Sequence, residues 1–435
     1  MPGRGFDSWA PWKWALVLVI ALHLLSTSGT WWITDHGETL AAAHQFLTSG
    51  KLDLQGLGPG WEEWSRIAEA RHSTTTRFLP LAILSLAPFL LIDHAFGWRN
   101  PEELRFVHLQ GHFFVGLALL MVGRFVARAT ASSSSAALCV LLAGFNWPVW
   151  MIARRLGPEP ILLALLAAFV TGGSKTRIAV LVLLPWTHAT GPLIGLGAIL
   201  WVGVEAGFES RPPLARLAAS WVFGVASLAL LWNLPVHGHL LLGGYDRFAS
   251  NRAFDIRNPL IGLVSLMAPM LLWVFPLWWL SFKSSLRIAC QIMALWVPLV
   301  ALLALLSHPE LLPDGDPQRR LAPLVAASLA VCLSQMNFPG RTTFVTLSML
   351  ALVSGIFGLA SDFVAITKTP LGVFSGPHLL FLRLAFEEGR PWVAGSAVAL
   401  LTFTAFVAAS KTLRLLVRPE PAVGSNDVPR PESKL

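Results

Sequence analysis

Residues 13–44 read KWALVLVIALHLLSTSGTWWITDHGETLAAAH, and this stretch decides the fold class. The run from Ala15 to Leu25 is apolar apart from one histidine, which suits the hydrocarbon core of a membrane. The stretch also resembles a signal peptide, because Lys13 precedes the apolar run and small residues follow it. Apolar character continues through Trp31 and Trp32, and many further runs follow. We therefore interpret it as an uncleaved first transmembrane helix with interfacial tryptophans.

The composition of the whole chain is that of an integral membrane protein. Of the 435 residues, 54% are hydrophobic and 13% are charged, and the mean hydropathy is +0.62. A soluble domain is excluded on these values, and a β-barrel would show short alternating strands instead. The net charge of +8 comes from basic residues scattered at the ends of apolar runs, which indicates topology signals and no nucleic-acid partner. The three cysteines lie inside apolar runs without paired spacing, which argues against a disulfide framework or a zinc site.

The apolar runs predict an all-α, polytopic transmembrane bundle of about 12 spans. Residues 78–97 contain two prolines, an aspartate and a histidine, so we interpret them as a helix lying in the membrane interface. Pro185 and Pro192 interrupt residues 177–206, which can therefore form a broken hairpin. The predicted spans are 12–33, 106–123, 135–152, 158–173, 177–187, 190–206, 217–234, 260–282, 288–306, 321–336, 342–360 and 391–410.

The distribution of Lys and Arg gives the predicted orientation. With the amino terminus inside and 78–97 not counted as a span, the basic residues collect on cytoplasmic connections. We expect one transmembrane domain over 1–410, with 34–105 as a first extracytoplasmic loop that carries interfacial helices, and a disordered cytoplasmic tail over 411–435. In a cell inner membrane, a site would then face the periplasm or exterior. It would be built from the long polar segments 34–105, 235–259, 307–320 and 361–390.

Asp35 and Glu38 are the first candidates for chemistry. They are three residues apart, so on a helix they share a face and can point into one cavity. A carboxylate in a partly dry pocket can act as a general base or hold a cation. The alternative is a capping box, in which Thr34 or Asp35 caps a helix that begins near His36 and Glu38 completes the cap.

Two pairs of arginines are candidates for binding an anion. Arg154 and Arg155 end one apolar run on the predicted outer side, and Glu159 begins the next. Arg319 and Arg320 stand in the same way at the start of a late span. Arginines on the outer side run against the positive-inside preference, and guanidinium groups match phosphate well. The alternatives are contacts with lipid headgroups or neutralisation by nearby acids.

Weaker candidates are histidines and tryptophans. His188 lies at the predicted helix break, where a hydrogen-bonded interior histidine is the alternative to a substrate-binding one. His237 and His239 would need a third ligand to bind a metal. Tryptophans that could stack on a sugar ring are Trp61, Trp64 and Trp150.

Four stretches occur in an order that resembles a known family. They are TDHGETLAAAHQFLTSGKLDL (34–54), TRFLPLAILSLAPFLLI (76–92), RRLGPEPILLALLAAF (154–169) and GDPQRRLAPLVAASLA (315–330). The order resembles the GT-C superfamily of polytopic membrane glycosyltransferases, especially bacterial relatives of the protein O-mannosyltransferases and the lipid A aminoarabinose transferases.

The resemblance implies a function and a set of roles. Asp35 would activate the acceptor hydroxyl, Glu38 would be a second acid, Glu159 would face the site, and Arg319 or Arg320 would hold the donor phosphate. The donor would be a polyprenyl-phosphate-linked sugar and the acceptor a lipid or a glycan, with no metal or cofactor implied. The alternatives left open are a membrane transporter or lipid flippase, and a catalytically inactive scaffold of the same fold.

Overall fold

The computed structural model describes residues 10–27, 34–52, 54, 57, 60–62, 79–100, 103–154, 156–206, 211–238, 240, 285–306, 316–335, 341–367 and 389–417. Every regular element in these ranges is a helix, which confirms the predicted all-α class. The first helices are α1 (Pro11–Leu25), α2 (Thr34–Ser49), α3 (Pro80–Ala95), α4 (Gln110–Thr130), α5 (Ser133–Gly144), α6 (Trp147–Ala153) and α7 (Glu159–Thr171). They are followed by α8 (Ser174–Leu183), α9 (Gly191–Glu205), α10 (Arg211–Leu228), α11 (Leu234–His237), α12 (Leu286–Leu306), α13 (Asp316–Ser334), α14 (Arg341–Thr367) and α15 (Pro391–Val417).

Short turns of other helix types connect some of these elements. A 3₁₀ turn, Phe106–Leu109, leads into α4, and a second, Leu184–Trp186, follows α8. A π turn, Ala229–Asn233, joins α10 to α11.

The described helices differ in length from the predicted spans. By length and composition, Phe106–Thr130, Pro213–His237 and Pro391–Arg414 can each cross a membrane, and α5 with α6 can do so as a pair bent by 70°. Pro148 in the first turn of α6 accounts for the break, because proline cannot donate its backbone hydrogen bond. The helices in the predicted spans 158–173 and 177–187 have 13 and 10 residues, fewer than the roughly 20 that a straight span needs. The count of 12 spans therefore stays a prediction.

Three predicted boundaries shift. In the first predicted span, 12–33, helix α1 ends at Leu25, and residues 28–33 lie outside the described ranges. The last helix runs past the predicted boundary at 410 and ends at Val417, within the predicted tail. Helix α4 continues to Thr130, beyond its predicted end at 123.

Helix α13 lies in the centre of the bundle. It packs against α4, α5, α6 and α7, and its side chains from Leu321 to Leu333 are buried. Alanine is frequent along this helix, and small side chains let neighbouring helices approach closely. Helix α15 packs against α1 at the periphery and leaves most of its apolar side chains exposed, as expected of a helix that faces lipid.

The helices α8 and α9, expected to form a broken hairpin over 177–206, run in opposite directions and both pack against α10. Arg177 Nη1 at the start of α8 lies 3.7 Å from Glu205 Oε2 at the end of α9. Arg287 at the start of α12 donates from Nη2 to the carbonyl oxygen of Glu205. These contacts place the start of α8, the end of α9 and the start of α12 at one end of the bundle.

Helices α2 and α3 form a layer at another part of the bundle, which we call the α2–α3 layer. Its apolar core contains Leu40, Trp61, Leu86 and Leu90, and Leu156 from the α6–α7 connection packs in the same cluster. The layer therefore lies over the place where α6 ends and α7 begins. Helix α3 corresponds to the predicted interfacial helix of 78–97, and one of its faces is exposed.

Candidate functional site

Side chains of α4 and α6 hold the carboxyl end of α1. The Thr27 hydroxyl and His112 Nε2 are 2.8 Å apart, and Trp150 Nε1 donates to Ser26 Oγ at 2.7 Å. Arg154 donates from Nε to the carbonyl oxygen of Ser26. A cation suits this place, because the last carbonyl groups of a helix carry partial negative charge. These contacts, which we call the α1 clamp, fix the chain at Ser26 and Thr27, eight residues before Asp35 in the case of Thr27.

A second histidine extends the α1 clamp into the bundle. His23 Nε2 lies 2.7 Å from the carbonyl oxygen of Gly144, at the end of α5. Its ring centroid is 5.3 Å from that of Trp150 and 6.4 Å from that of His112. The ends of α1, α5 and α6 and the start of α4 thus meet in one buried polar region.

A carboxylate of α3 fixes the start of α4. Asp93 is fully buried, and its Oδ1 accepts hydrogen bonds from the backbone N–H groups of Arg105 and Phe106, both at 2.9 Å. Its Oδ2 accepts from the N–H of Val107 at 3.0 Å. These groups lead into the 3₁₀ turn, whose unpaired N–H groups favour an anion. Burial raises the pKa of Asp93, while the three N–H groups and the Arg105 charge oppose that rise.

Gln110 ties three elements together beneath the α2–α3 layer. Its Nε2 donates to Ser85 Oγ of α3 at 3.0 Å and to the carbonyl oxygen of Gly157 at 3.1 Å. Glu159 follows Gly157 by two residues and is buried, with 4% of its surface exposed. The first residue of α7 therefore places a carboxylate in the same buried region as the start of α4.

Helix α2 carries the two acids that the sequence singled out. It begins at Thr34, so Asp35 lies inside its first turn and Glu38 one turn later on the same face. The capping-box alternative stays a prediction, because it depends on the side chains of Thr34 and Asp35. The Glu38 side chain is buried, with 7% exposed. The orientation of the Asp35 side chain lies outside the described part of the structure.

Two histidines join α2 to α3. His44 Nδ1 and His94 Nε2 are 3.2 Å apart, and the His44 ring stacks on Trp61 at 4.5 Å between centroids. Burial, followed by the charges of His94 and Arg99, lowers the pKa of His44 to about 4. Burial and the Arg99 charge also lower the pKa of His94. Both rings are therefore neutral near pH 7.

Three of the predicted site residues are buried in or near the α2–α3 layer, and their mutual proximity stays a prediction. Arg154 and Glu159 are buried on either side of Leu156, which packs with Leu40 in the core of the α2–α3 layer, and Glu38 is buried in the same helix as Leu40. Arg155 lies outside the described residues.

His188 lies in the loop between the turn Leu184–Trp186 and α9. It is buried, and its Nδ1 lies 2.8 Å from the Thr190 hydroxyl and accepts the Thr190 backbone N–H at 3.2 Å. The turn Leu184–Trp186 contacts α3, so this corner lies beside the α2–α3 layer. The hydrogen bonds agree with the alternative of an interior histidine.

Arg319 and Arg320 lie in the first turns of the central helix α13. The Arg320 side chain is half-buried, and that of Arg319 lies outside the described part. Gly355 of α14 packs against Trp150, so the second half of α14 reaches the end of the bundle with the α1 clamp. Because only residues 336–340 separate α13 from α14, we expect α13 to begin at that same end. Proximity of Arg320 to Arg154 stays a prediction.

The arrangement concentrates ionisable groups where the dielectric constant is low. Glu38, Arg154 and Glu159 are all buried in a bundle whose surroundings are apolar. Burying an ionised group in such a place costs several kcal/mol, which hydrogen bonds and opposite charges must offset. Preorganised charges in a dry site are also what stabilises charge that develops during a reaction.

Sequence reasoning missed several polar members of this region. They lie inside or beside predicted spans, and an ionisable or amide side chain within a span is the signal that could have identified them. The missed residues are His23, Gln110 and His112, together with Asp93 of the predicted interfacial helix.

Two of the tryptophans proposed to stack on a sugar have other contacts. Trp61 has 1% of its surface exposed, stacks on His44 and donates from Nε1 to the carbonyl oxygen of Arg99 at 3.0 Å. Trp150 has 4% exposed and belongs to the α1 clamp. Neither presents a ring face to a sugar. In the same described ranges, no cluster of three or more His, Cys, Asp or Glu side chains forms a metal site.

Comparison with known proteins gives the fold. No protein-family model and no curated protein sequence matches the chain. The structure is similar to ArnT from Cupriavidus metallidurans bound to undecaprenyl phosphate, with a TM-score of 0.50 and 13% identity over 93% of this chain and 75% of that one. It also matches the oligosaccharyltransferase AglB from Archaeoglobus fulgidus in complex with an inhibitory peptide and a dolichol-phosphate, with a TM-score of 0.44 and 12% identity over 82% of this chain and 55% of that one. The similarity to ArnT confirms the expected fold of GT-C type.

Proposed function

We propose that the protein is a membrane glycosyltransferase that moves a sugar from a polyprenyl-phosphate-linked donor to a lipid or glycan acceptor on the extracytoplasmic side. One observation carries the proposal. A bundle with the fold of ArnT buries Glu38, Arg154 and Glu159, and Leu156, between the last two, belongs to the apolar cluster of the α2–α3 layer. The ArnT structure holds undecaprenyl phosphate, which is the lipid that the proposed reaction releases from its donor.

The reaction that suits these groups is a direct displacement at the anomeric carbon. A carboxylate of α2, Asp35 with Glu38 as second acid, takes the proton of the acceptor hydroxyl. The acceptor oxygen then bonds to the anomeric carbon as the bond from that carbon to the phosphate oxygen breaks. The electron pair leaves with the polyprenyl phosphate, and the configuration is inverted.

Arginines stabilise the leaving group. The phosphate gains negative charge as the glycosidic bond breaks, and guanidinium groups in a dry site lower the energy of that charge. Arg319 and Arg320 at the start of α13 are the proposed phosphate ligands. The Nε of Arg154 already bonds to Ser26 in the α1 clamp, so we propose that Arg154 contributes mainly its charge. Glu159 is proposed to orient these arginines or the sugar.

The test uses the full chain in detergent and a pair of matched lipids. Undecaprenyl phosphate should bind and raise the unfolding temperature, whereas undecaprenol, which lacks the phosphate, should not at the same concentration. A panel of undecaprenyl-phosphate-linked hexoses and pentoses, added with membrane extracts as acceptor source, should then release undecaprenyl phosphate. Equal effects of the two lipids would contradict a phosphate site.

The transporter alternative gives a different result in the same material. A flippase would move the lipid-linked sugar between leaflets of a proteoliposome and leave its glycosidic bond intact. Movement without release of undecaprenyl phosphate would replace the proposed reaction.

A further inference from the structure

A cleft separate from the buried acids opens at the surface, between the α3–α4 connection and the start of α15. Its volume is about 250 Å³, and the side chains that line it are Trp98, Glu103, Arg105 and Arg390. Arg390 is exposed and the other three are half-buried, so the cleft is reached from outside the bundle.

The charges around the cleft favour an anion. The Glu103 carboxylate is engaged with the local backbone, because its Oε2 accepts the N–H groups of Arg99 and Asn100, both at 3.2 Å. Arg105 donates from Nη1 to the carbonyl oxygen of Leu104 at 2.8 Å, which holds its guanidinium group at the cleft wall. Arg390 directly precedes α15, whose amino-terminal N–H groups add partial positive charge.

The aromatic side chains around the cleft are of the kind found at a membrane surface. Phe96, Trp98 and Phe106 stack on one another, with centroids 5.2 Å apart for Phe96–Trp98 and 5.6 Å apart for Phe96–Phe106. Phe96 has 62% of its surface exposed, and Trp392, beside Arg390, has 87% exposed. Exposed tryptophans and phenylalanines next to arginines are typical of the boundary between acyl chains and headgroups.

Exposed apolar surface continues from this aromatic group along α3 and α4. Leu91 of α3 and Phe113 of α4 each have 57% of their surface exposed, and both helices carry further exposed apolar side chains. An acyl chain can therefore lie along α3 and α4 while its headgroup reaches the two guanidinium groups.

We propose that this cleft binds the headgroup phosphate of an anionic phospholipid. Arg105 and Arg390 pair with the phosphate, and the Trp98 indole forms the wall beside the glycerol. A zwitterionic headgroup brings a cation of its own towards the same arginines, so the cleft prefers a lipid with net negative charge. This site does not depend on the proposed transfer reaction.

The experiment measures lipid retention by native mass spectrometry of the full chain in mild detergent. Phosphatidylglycerol or phosphatidylcholine with identical acyl chains is added in separate samples. We expect one phosphatidylglycerol to be retained about tenfold more strongly than phosphatidylcholine, which corresponds to about 1.4 kcal/mol. The double variant Arg105→Gln/Arg390→Gln should lose this preference, and Arg105→Lys/Arg390→Lys should keep part of it.

The controls separate the cleft from other sources of binding. Lys51→Gln removes an exposed charge of the α2–α3 layer outside the cleft and should keep the full preference. The double Gln variant should bind undecaprenyl phosphate as the wild type does. A failure of the phospholipid proposal is therefore distinguishable from a failure of the proposed function. An unchanged preference in the double Gln variant would overturn the assignment. Inorganic phosphate at about 10 mM fills sites of millimolar affinity. If it displaces the lipid, the cleft is a site for soluble phosphate instead.

Discussion

Replacing Asp93 with asparagine should loosen the start of α4, on which the candidate site is built. The carboxylate is fully buried and accepts three backbone N–H groups, from Arg105, Phe106 and Val107. Asparagine has nearly the same shape but only one acceptor oxygen. If that oxygen keeps the bonds from Arg105 and Phe106, the new amide N–H₂ faces the N–H of Val107.

The cost follows from these contacts. A hydrogen bond to a charged group contributes about 1.5–3 kcal/mol, and a buried donor without a partner costs about 1–3 kcal/mol. Because the two effects overlap at one position, we expect Asp93→Asn to lower the free energy of unfolding by about 2–4 kcal/mol. Asp93→Ala, which removes all three bonds, should lower it further.

The assay is denaturant unfolding in mixed micelles, followed by tryptophan fluorescence. Glu62→Gln changes an exposed acid in the same part of the chain and is the matched control, with an expected effect within about 0.5 kcal/mol. If Asp93→Asn unfolds at the same denaturant concentration as Glu62→Gln, the carboxylate does not hold the start of α4 and the reasoning is wrong.

Three other changes test separate parts of the structure. The free energy of unfolding should fall as the pH is lowered from about 6.5 towards 4, because His44 binds a proton in the unfolded chain but stays neutral in the folded protein. His44→Gln should make the unfolding temperature less dependent on pH in this range. Arg320→Ala should weaken binding of undecaprenyl phosphate by about 1.5–3 kcal/mol in a titration, with Arg320→Lys intermediate; full binding in the Ala variant would move the phosphate elsewhere. Gly197→Ala would place a Cβ 2.3 Å from the carbonyl oxygen of Leu295, so the free energy of unfolding should fall by about 1–3 kcal/mol. An unaltered unfolding midpoint would contradict the close packing of α9 on α12.

The sequence predicted the fold class because hydrophobic length is a strong signal in membrane proteins. It also placed Asp35 and Glu38 on one face of a helix and identified the segment that forms α3. It could not tell α13 from α15, since both are apolar along their length. One is buried and the other exposed, because packing in a membrane depends on side-chain size and shape more than on polarity.

The polar contacts of the site were predictable only in part. Arg154 and Glu159 stood out because charges at the ends of apolar runs are conspicuous. The bonds from Arg154 and Trp150 to Ser26 join residues more than a hundred positions apart, and no local pattern encodes such a pairing. His23 and His112 were visible as ionisable groups within spans, but their common location depends on how α1 packs against α4.

Sugar transfer by Asp35→Asn is the most direct test of the proposed function. The substitution keeps the size of the side chain and removes its basicity, and the lost interaction with the amino end of α2 costs about 0.3–1 kcal/mol. The variant should therefore fold in normal yield. Its release of undecaprenyl phosphate from the lipid-linked sugar should fall by a factor of about 100 to 10,000, the usual contribution of a general base. Wild-type transfer by a folded Asp35→Asn protein would contradict the catalytic assignment.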